Sequence, residues 1–366
     1  MRPRTPVHRS PLRPRLVALA TLGALGLALA GCGSSSDGSG SGASGGGDPK
    51  TLVVATHDSW AMDEDVLADF TKQTGITVKI QPQGDAGQLT NKLVLTKDNP
   101  LADGVYGIDN TFGSRAVDEG ILAEDTAVDL PASAEQFRLQ GAGDRLTPVD
   151  YSDVCVNVDD SWFEKRGQAP PTTLDDLVDP AYADLFVTPG ASTSSPGLAF
   201  LLATVAAKGD AWPDYWKQLV ANGTKVVSGW SDAYEVDFTA GGGSGDRPIV
   251  TSYSSSPPFT VPEGGTKPTT SALLDTCFRQ VEYAGVLAGA KNPQGMAEFI
   301  SFMLGREFQA ALPDNMYVYP VDDAVALPAA WEKFAEPASD PFAVDPQEVD
   351  ANREKWLGEW RDIVTQ

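Results

Sequence analysis

The sequence predicts an α/β protein with largely parallel strands, and three observations carry that expectation. From residue 51 to 120, short β-branched runs alternate with amphipathic stretches of helical period, and polar loops follow the strands. A second α/β unit of the same kind runs from 186 to 253. Two long extended segments, 148–158 and 276–284, stand as connectors beside it. In open sheets of this type, ligands sit beyond the C-terminal ends of the strands.

The first 31 residues stand outside that fold. Arg2, Arg4, Arg9, Arg13 and Arg15 make a basic start, and Leu16 to Ala30 is an apolar run. That run is short of the roughly 20 residues a spanning helix needs, and it fits a secretory signal. Leu29-Ala30-Gly31-Cys32 resembles the bacterial lipobox, which implies a lipidated Cys32 as the mature N-terminus. Residues 33–47 are rich in Gly and Ser, cannot bury a core, and read as a tether within a 32–48 linker. The expectation is an exported protein, anchored to the outer face of the cell membrane through Cys32.

The next elements follow from local pattern. Thr51 to Thr56 is a buried strand, with His57-Asp58-Ser59-Trp60 at its C-terminal end. Asp63 to Thr74 is a helix with Val66 and Phe70 on one face and Gly75 as its stop. Ile76, Val78 and Ile80 alternate as a strand. Gly84-Asp85-Ala86-Gly87 turns into a helix carrying Leu89 and Leu93. Gly104 to Ile108 is the third strand and ends at Asp109-Asn110, before a short helix at 115–119. His57-Asp58, Asp85 and Asp109 thus stand at one rim, where each Asp can serve a ligand or cap the following helix.

Further along, Thr173-Leu174-Asp175-Asp176 fits a capping box before a helix. Phe186 to Pro189 is a strand. Ser192-Thr193-Ser194-Ser195-Pro196-Gly197 opens an apolar helix, whose free N–H groups suit an anion or ordinary capping. Lys225 to Ser228 is a strand delivering Trp230. Gly241 to Gly245 lacks the Lys-Ser/Thr of a phosphate loop and reads as a flexible hairpin tip. Ile249 to Tyr253 is a strand, Pro293 to Leu312 an amphipathic helix, and Pro346 to Val364 a terminal helix whose Trp356 and Trp360 dock on the core.

Composition narrows the chemistry. The 366 residues carry a formal charge of −23, and loss of the five Arg in residues 1–31, a segment without acid, takes it to −28. Such a balance argues against nucleic acid; it can concentrate cationic ligands near the protein or serve solubility alone. Beyond Cys32 only Cys155 and Cys277 remain, a poor zinc set. The single His of the mature chain, His57, has no GxSxG partner motif for a triad. Neither a cofactor nor a resident metal is expected.

Two stretches could recognise a ligand. Gly229-Trp230-Ser231-Asp232-Ala233-Tyr234 and Ser252-Tyr253-Ser254-Ser255-Ser256-Pro257 each set aromatic faces beside small hydroxyls. Ring faces attract cations by roughly 0.5–2 kcal/mol, and hydroxyls accept a polar tail. Trp230 and Tyr234 are also spaced as a helical core pair, and the two readings stand together.

These blocks resemble the thiamine-binding substrate-binding proteins of bacterial ABC importers. The likeness runs from about Leu52 to Arg361. It covers His57-Asp58-Ser59-Trp60, Gly84-Asp85-Ala86, Ile108-Asp109-Asn110, Ser194-Ser195-Pro196-Gly197, Gly229 to Tyr234, Ser252 to Pro257, Gln280-Val281-Glu282 and Val318-Tyr319-Pro320-Val321, in order. The resemblance implies a two-lobed periplasmic-binding-protein fold of type II, with a mixed sheet in each lobe and the ligand between lobes. Lobe one would be 49–153 with 284–366, and lobe two 154–283. It implies a ligand set of His57, Asp58, Asp85, Ala86, Asp109, Ser194, Ser195, Trp230, Tyr234, Tyr253, Ser254 and Tyr317.

The implied ligand is thiamine or a thiamine phosphate, handed by a monomer to an ABC permease and its ATPase. His57 stands where the family usually has Tyr, and Tyr317 where it often has Trp, so stacking survives. A neutral imidazole at His57 suits a cation. Cys155 and Cys277 lie on the two crossovers and are expected to form a disulfide. The alternatives are another cationic or pyrimidine-type solute, ferric iron or a polyamine. A thiamine-degrading enzyme using Cys155 or Cys277 with Glu282 is the remaining one.

Overall fold

Among the described residues one nine-stranded sheet carries the fold. The computed structural model describes residues 50–124 and 126–365. The signal, Cys32 and the tether lie outside the described residues. Among the described residues no helix is long and apolar enough to cross a membrane.

The first half of the sheet is β1 (Thr51–Thr56), β2 (Thr77–Pro82) and β3 (Gly104–Asp109), parallel and in the order β2-β1-β3. The connecting helices are α1 (Glu64–Thr74) and α2 (Ala86–Leu95), and α3 (Gly113–Asp118) follows β3. Gly75 ends α1 with φ 76°, a backbone that glycine adopts without a Cβ penalty.

Next come β4 (Thr147–Asp159), α4 (Asp160–Arg166), β5 (Phe186–Pro189), α5 (Ser195–Lys208), α6 (Trp212–Ala221), β6 (Lys225–Val227) and β7 (Ile249–Tyr253). In this second half β5 pairs in parallel with both β6 and β7. The long strand β8 (Thr270–Val286) joins the halves. It pairs antiparallel with β3 at one end and with β4 along most of its length, while the far end of β4 pairs with β7. The two segments read as connectors are therefore central strands. A disulfide joins Cys155 on β4 to Cys277 on β8.

The chain closes with α7 (Pro293–Met303), α8 (Arg306–Met316), β9 (Tyr319–Pro320), α9 (Ala329–Phe334) and α10 (Pro346–Val364). One core packs β1, β2, α1, α7 and α8 around Phe70, Phe299 and Phe308. Another runs from β3 and α2 through α5 and α6 to α10. There Trp360 meets Trp216 edge to face at 5.7 Å, a pair worth roughly 0.5–1.5 kcal/mol beyond the burial of its rings. The helix α10 thus leans on α6 as well as on α3.

Three local expectations need correction. The single helix expected over 293–312 is two helices, because Gly305 takes an extended backbone between them. The capping box at Thr173 forms, with Asp176 accepting from the Thr172 and Thr173 N–H groups and donating its own N–H to Thr173 Oγ1. It starts only a short 3-10 turn, Asp175–Val178. Residues 241–245 are no hairpin tip, since the flanking Phe238 and Arg247 form a parallel bridge. The loop folds back so closely that a Cβ on Gly241 would collide with the Tyr234 carbonyl.

Candidate functional site

A cleft opens where the two halves of the sheet meet, enclosing roughly 690 Å³ counted to its open mouth. Gln280 and Glu282 border it, two positions apart on β8 and so on one face of the strand.

One wall is aromatic. Trp230 and Tyr234 lie on a turn that widens into the π-helix Asp232–Asp237, and their rings stack at 5.1 Å and 11°. Trp230 borders the cleft; Tyr234, on its other side, does not. Trp230 Nε1 donates to Ser252 Oγ at 2.9 Å, and the Ser252 and Ser256 hydroxyls are bonded at 2.9 Å. Tyr253 tilts toward Trp230 at 5.9 Å, and Tyr317 meets it edge-on at 6.2 Å. Tyr317 is itself stacked on Phe259 at 3.6 Å.

The other wall is acidic. Glu282 borders the cleft, and behind it Asp109 and Asp150 stand in register with it on the adjacent strands β3 and β4. Tyr106 OH donates to Asp150 Oδ2 at 2.7 Å and lies 3.3 Å from Glu282 Oε2. His57 Nε2 is 3.5 Å from Glu282 Oε1. The imidazole sits over Gly107, where a bulge interrupts the β3–β8 register and φ is 96°. Any Cβ there would collide with the ring. His57 Nε2 and Gln280 Oε1, both on residues bordering the cleft, have no hydrogen-bond partner.

Asp85 ties the walls together. It caps α2 through Ala86 N–H (2.6 Å), and it accepts from Ser195 N–H and Trp230 N–H at 3.0 Å each. Its carboxylate therefore occupies the anion site at the start of α5. Burial pushes its pKa up, against the pull of those hydrogen bonds. Burial also raises Asp109 to about 6, opposed by donors from Ser195 and Thr111. Burial, then the Glu282 charge, holds Asp150 well above the usual range. Tyr253 is held up by burial and then by the surrounding carboxylates. No Lys or Arg is among the described residues that border the cleft, so its field favours a cation.

The expected ligand set divides on this geometry. His57, Asp85, Ala86, Ser195, Trp230, Tyr253 and Tyr317 border the cleft. Asp58 does not; its side chain is exposed outside. Asp109 is fully buried behind the wall, where it accepts from Thr111 and Phe112 N–H as a cap and from the Ser195 hydroxyl. Ser194 is the buried N-cap of α5. Ser254 is buried against Tyr319 OH at 3.3 Å, and Tyr234 backs Trp230. Residues not in that set also border the cleft, chiefly Glu235, Gln280, Glu282, Asn315 and Met316. The strand period could have found 280 and 282 together. Asn315 and Met316 are the last two residues of α8, which ends at Tyr317 with φ 62°.

Among the described residues no group of three His, Cys, Asp or Glu is placed to hold a metal ion.

Residues 99–343 match the bacterial extracellular solute-binding protein family. The chain is 30% identical over 321 residues to the thiamine-binding periplasmic protein of Salmonella typhimurium, covering 86% of this chain and 93% of that one. The Escherichia coli thiamine-binding periplasmic protein matches with the same identity and coverage. Among solved structures, a periplasmic thiamin binding protein superposes with a TM-score of 0.76 at 30% identity, over 86% of this chain and 96% of that one. Iron-bound HitA from Pseudomonas aeruginosa shares the fold, with a TM-score of 0.66 at 20% identity over 86% and 99% of the two chains.

Proposed function

We propose a thiamine-capturing role for this chain, which belongs to the bacterial extracellular solute-binding protein family. The observation that carries it is a cleft with stacked rings on one wall, buried carboxylates on the other, and no bordering Lys or Arg among the described residues. Thiamine is a flat, permanent cation. Its thiazolium suits ring faces and carboxylates. Its aminopyrimidine offers donors and acceptors to groups such as Gln280 Oε1, which has no partner of its own.

In this reading the protein is exported, held at the membrane through Cys32, and acts as a monomer that delivers its ligand to an ABC permease with its ATPase. Residues 49–153 with 284–366 form one lobe and 154–283 the other. The lobes close about β4 and β8, beside the disulfide. The chain binds and does not catalyse: Cys155 and Cys277 are bonded to each other, so neither is available as a nucleophile.

Calorimetric titration of fragment 48–366, unfolded and refolded to strip ligand, with thiamine and then its mono- and diphosphate tests this reading. Saturable one-to-one binding lost on Trp230→Ala is the expected result, and the three titrations rank the phosphate forms. No heat with any of the three would overturn it.

A further inference from the structure

The acidic wall holds more negative charge than it has partners. Glu282 faces Asp109 on β3 and Asp150 on β4 in the same register, and like charges directly opposite on adjacent strands destabilise a sheet. Asp109 is relieved by the Thr111 and Phe112 N–H groups and the Thr111 and Ser195 hydroxyls. Asp150 and Glu282 share one donor, the Tyr106 hydroxyl. Asp150 is fully buried and its Oδ1 has no donor, since the neighbouring Glu282 carboxylate is itself an acceptor.

The other titratable groups facing the pair are Tyr253 from β7 and His57 from the end of β1. Of these only His57 can carry a positive charge. Two buried carboxyls in contact without a fixed cation hold one proton between them.

We infer that the Asp150–Glu282 pair shares a proton in the empty cleft, and that a bound permanent cation takes the place of that proton's charge, so uptake of the cation releases a proton to solvent. Charge balances: one positive charge enters beside Glu282 and one proton leaves the pair for the buffer. The exchange makes the pair a specificity determinant, because a neutral isostere of the ligand has no charge to offer in return for the proton. The inference rests on the proposed capture of thiamine.

Calorimetry of thiamine binding to fragment 48–366, at one pH in buffers of different protonation enthalpy, tests it. The binding enthalpy of the natural sequence should vary with the buffer by an amount equal to release of up to about one proton. The association constant should rise with pH, by up to about tenfold per unit for one proton released, over the range in which the empty pair still holds its proton. Asp150→Asn and Glu282→Gln should each remove the buffer dependence, a single carboxyl then being left with no second one to share a proton. Buffer-independent enthalpy in the natural sequence overturns the inference without touching the ligand assignment. Release that survives Asp150→Asn and disappears in His57→Gln puts the proton on the imidazole and also overturns it. Absence of any thiamine binding removes the ligand reading and this exchange with it.

Discussion

The aromatic wall of the cleft is assembled mostly from neighbours in sequence, with Trp230 and Tyr234 four positions apart and Ser252 next to Tyr253, and Tyr317 joins it from the end of α8. The acidic wall joins His57, Tyr106, Asp150 and Glu282 from four different strands or strand ends. The first is a local motif on a π-turn and one strand end. The second exists only once β3, β8 and β4 have found their register. The difference separates two kinds of recognition. Ring faces select a flat cation through weak contacts that tolerate variation. Buried carboxylates in a low-dielectric site act through charge, and they depend on each neighbour's protonation.

The largest expected effect comes from cutting the covalent link between the strands that hold the walls together. Replacing both Cys155 and Cys277 with Ser should cost about 2–5 kcal/mol of unfolding free energy, measured by denaturant titration. A loss below about 1 kcal/mol would mean that β4 and β8 hold their register by hydrogen bonding and packing alone. Next in size, Trp230→Ala should weaken thiamine binding by about 2–4 kcal/mol, roughly 30- to 1000-fold, as buried aromatic anchors do. Trp230→Phe should recover part of that loss. Equal losses for Ala and Phe would move the weight from the ring face to the indole N–H and its bond to Ser252.

The acidic wall can be separated from the aromatic one by pH. A carboxyl whose folded pKa lies above its unfolded value binds its proton more tightly in the folded chain. Asp109, raised from 3.8 to about 6, therefore contributes stability at low pH that is lost as pH rises between about 4 and about 6. Asp109→Asn should remove a term of about 1–3 kcal/mol from that window in thermal or denaturant unfolding. Trp230→Phe should leave the slope there unchanged. A slope unaltered by Asp109→Asn would show that the donors from Ser195, Thr111 and Phe112 fully offset burial of the charge.

The same contrast explains what was legible in the sequence. Strands at 51–56 and 104–108 and the terminal helix at 346–364 follow from period and punctuation alone, and the structure has them within a residue. Trp230, Tyr253 and Tyr317 were readable because each sits within a short motif. The pairing of Asp150 with Glu282 was not, because no local pattern specifies which residues of two long strands stand opposite each other. The register there also shifts between Pro148 and Asp150. Asp58 and Asp109 have the same sequence logic, an acid just after a strand, yet one is exposed and the other fully buried. Asp109 also accepts from the hydroxyl of Ser195, which arrives from the second half of the sheet.

The smallest expected effect bears on whether the aromatic wall works through ring faces only. Tyr317 borders the cleft with its ring stacked on Phe259 and its edge toward Trp230. Removing the hydroxyl in Tyr317→Phe leaves the ring area, the stack and the edge contact in place. Thiamine affinity should then change by less than about 0.5 kcal/mol, within roughly twofold, as expected for a position that contributes a face. A tenfold loss, about 1.4 kcal/mol, would mean that the hydroxyl donates to or accepts from the ligand. The division between a wall that reads shape and a wall that reads charge would then have to be redrawn, with Tyr317 counted among the polar contacts. Burial already raises the Tyr317 phenol above its ordinary value, so it stays protonated and available as a donor, and the experiment separates those two outcomes at neutral pH.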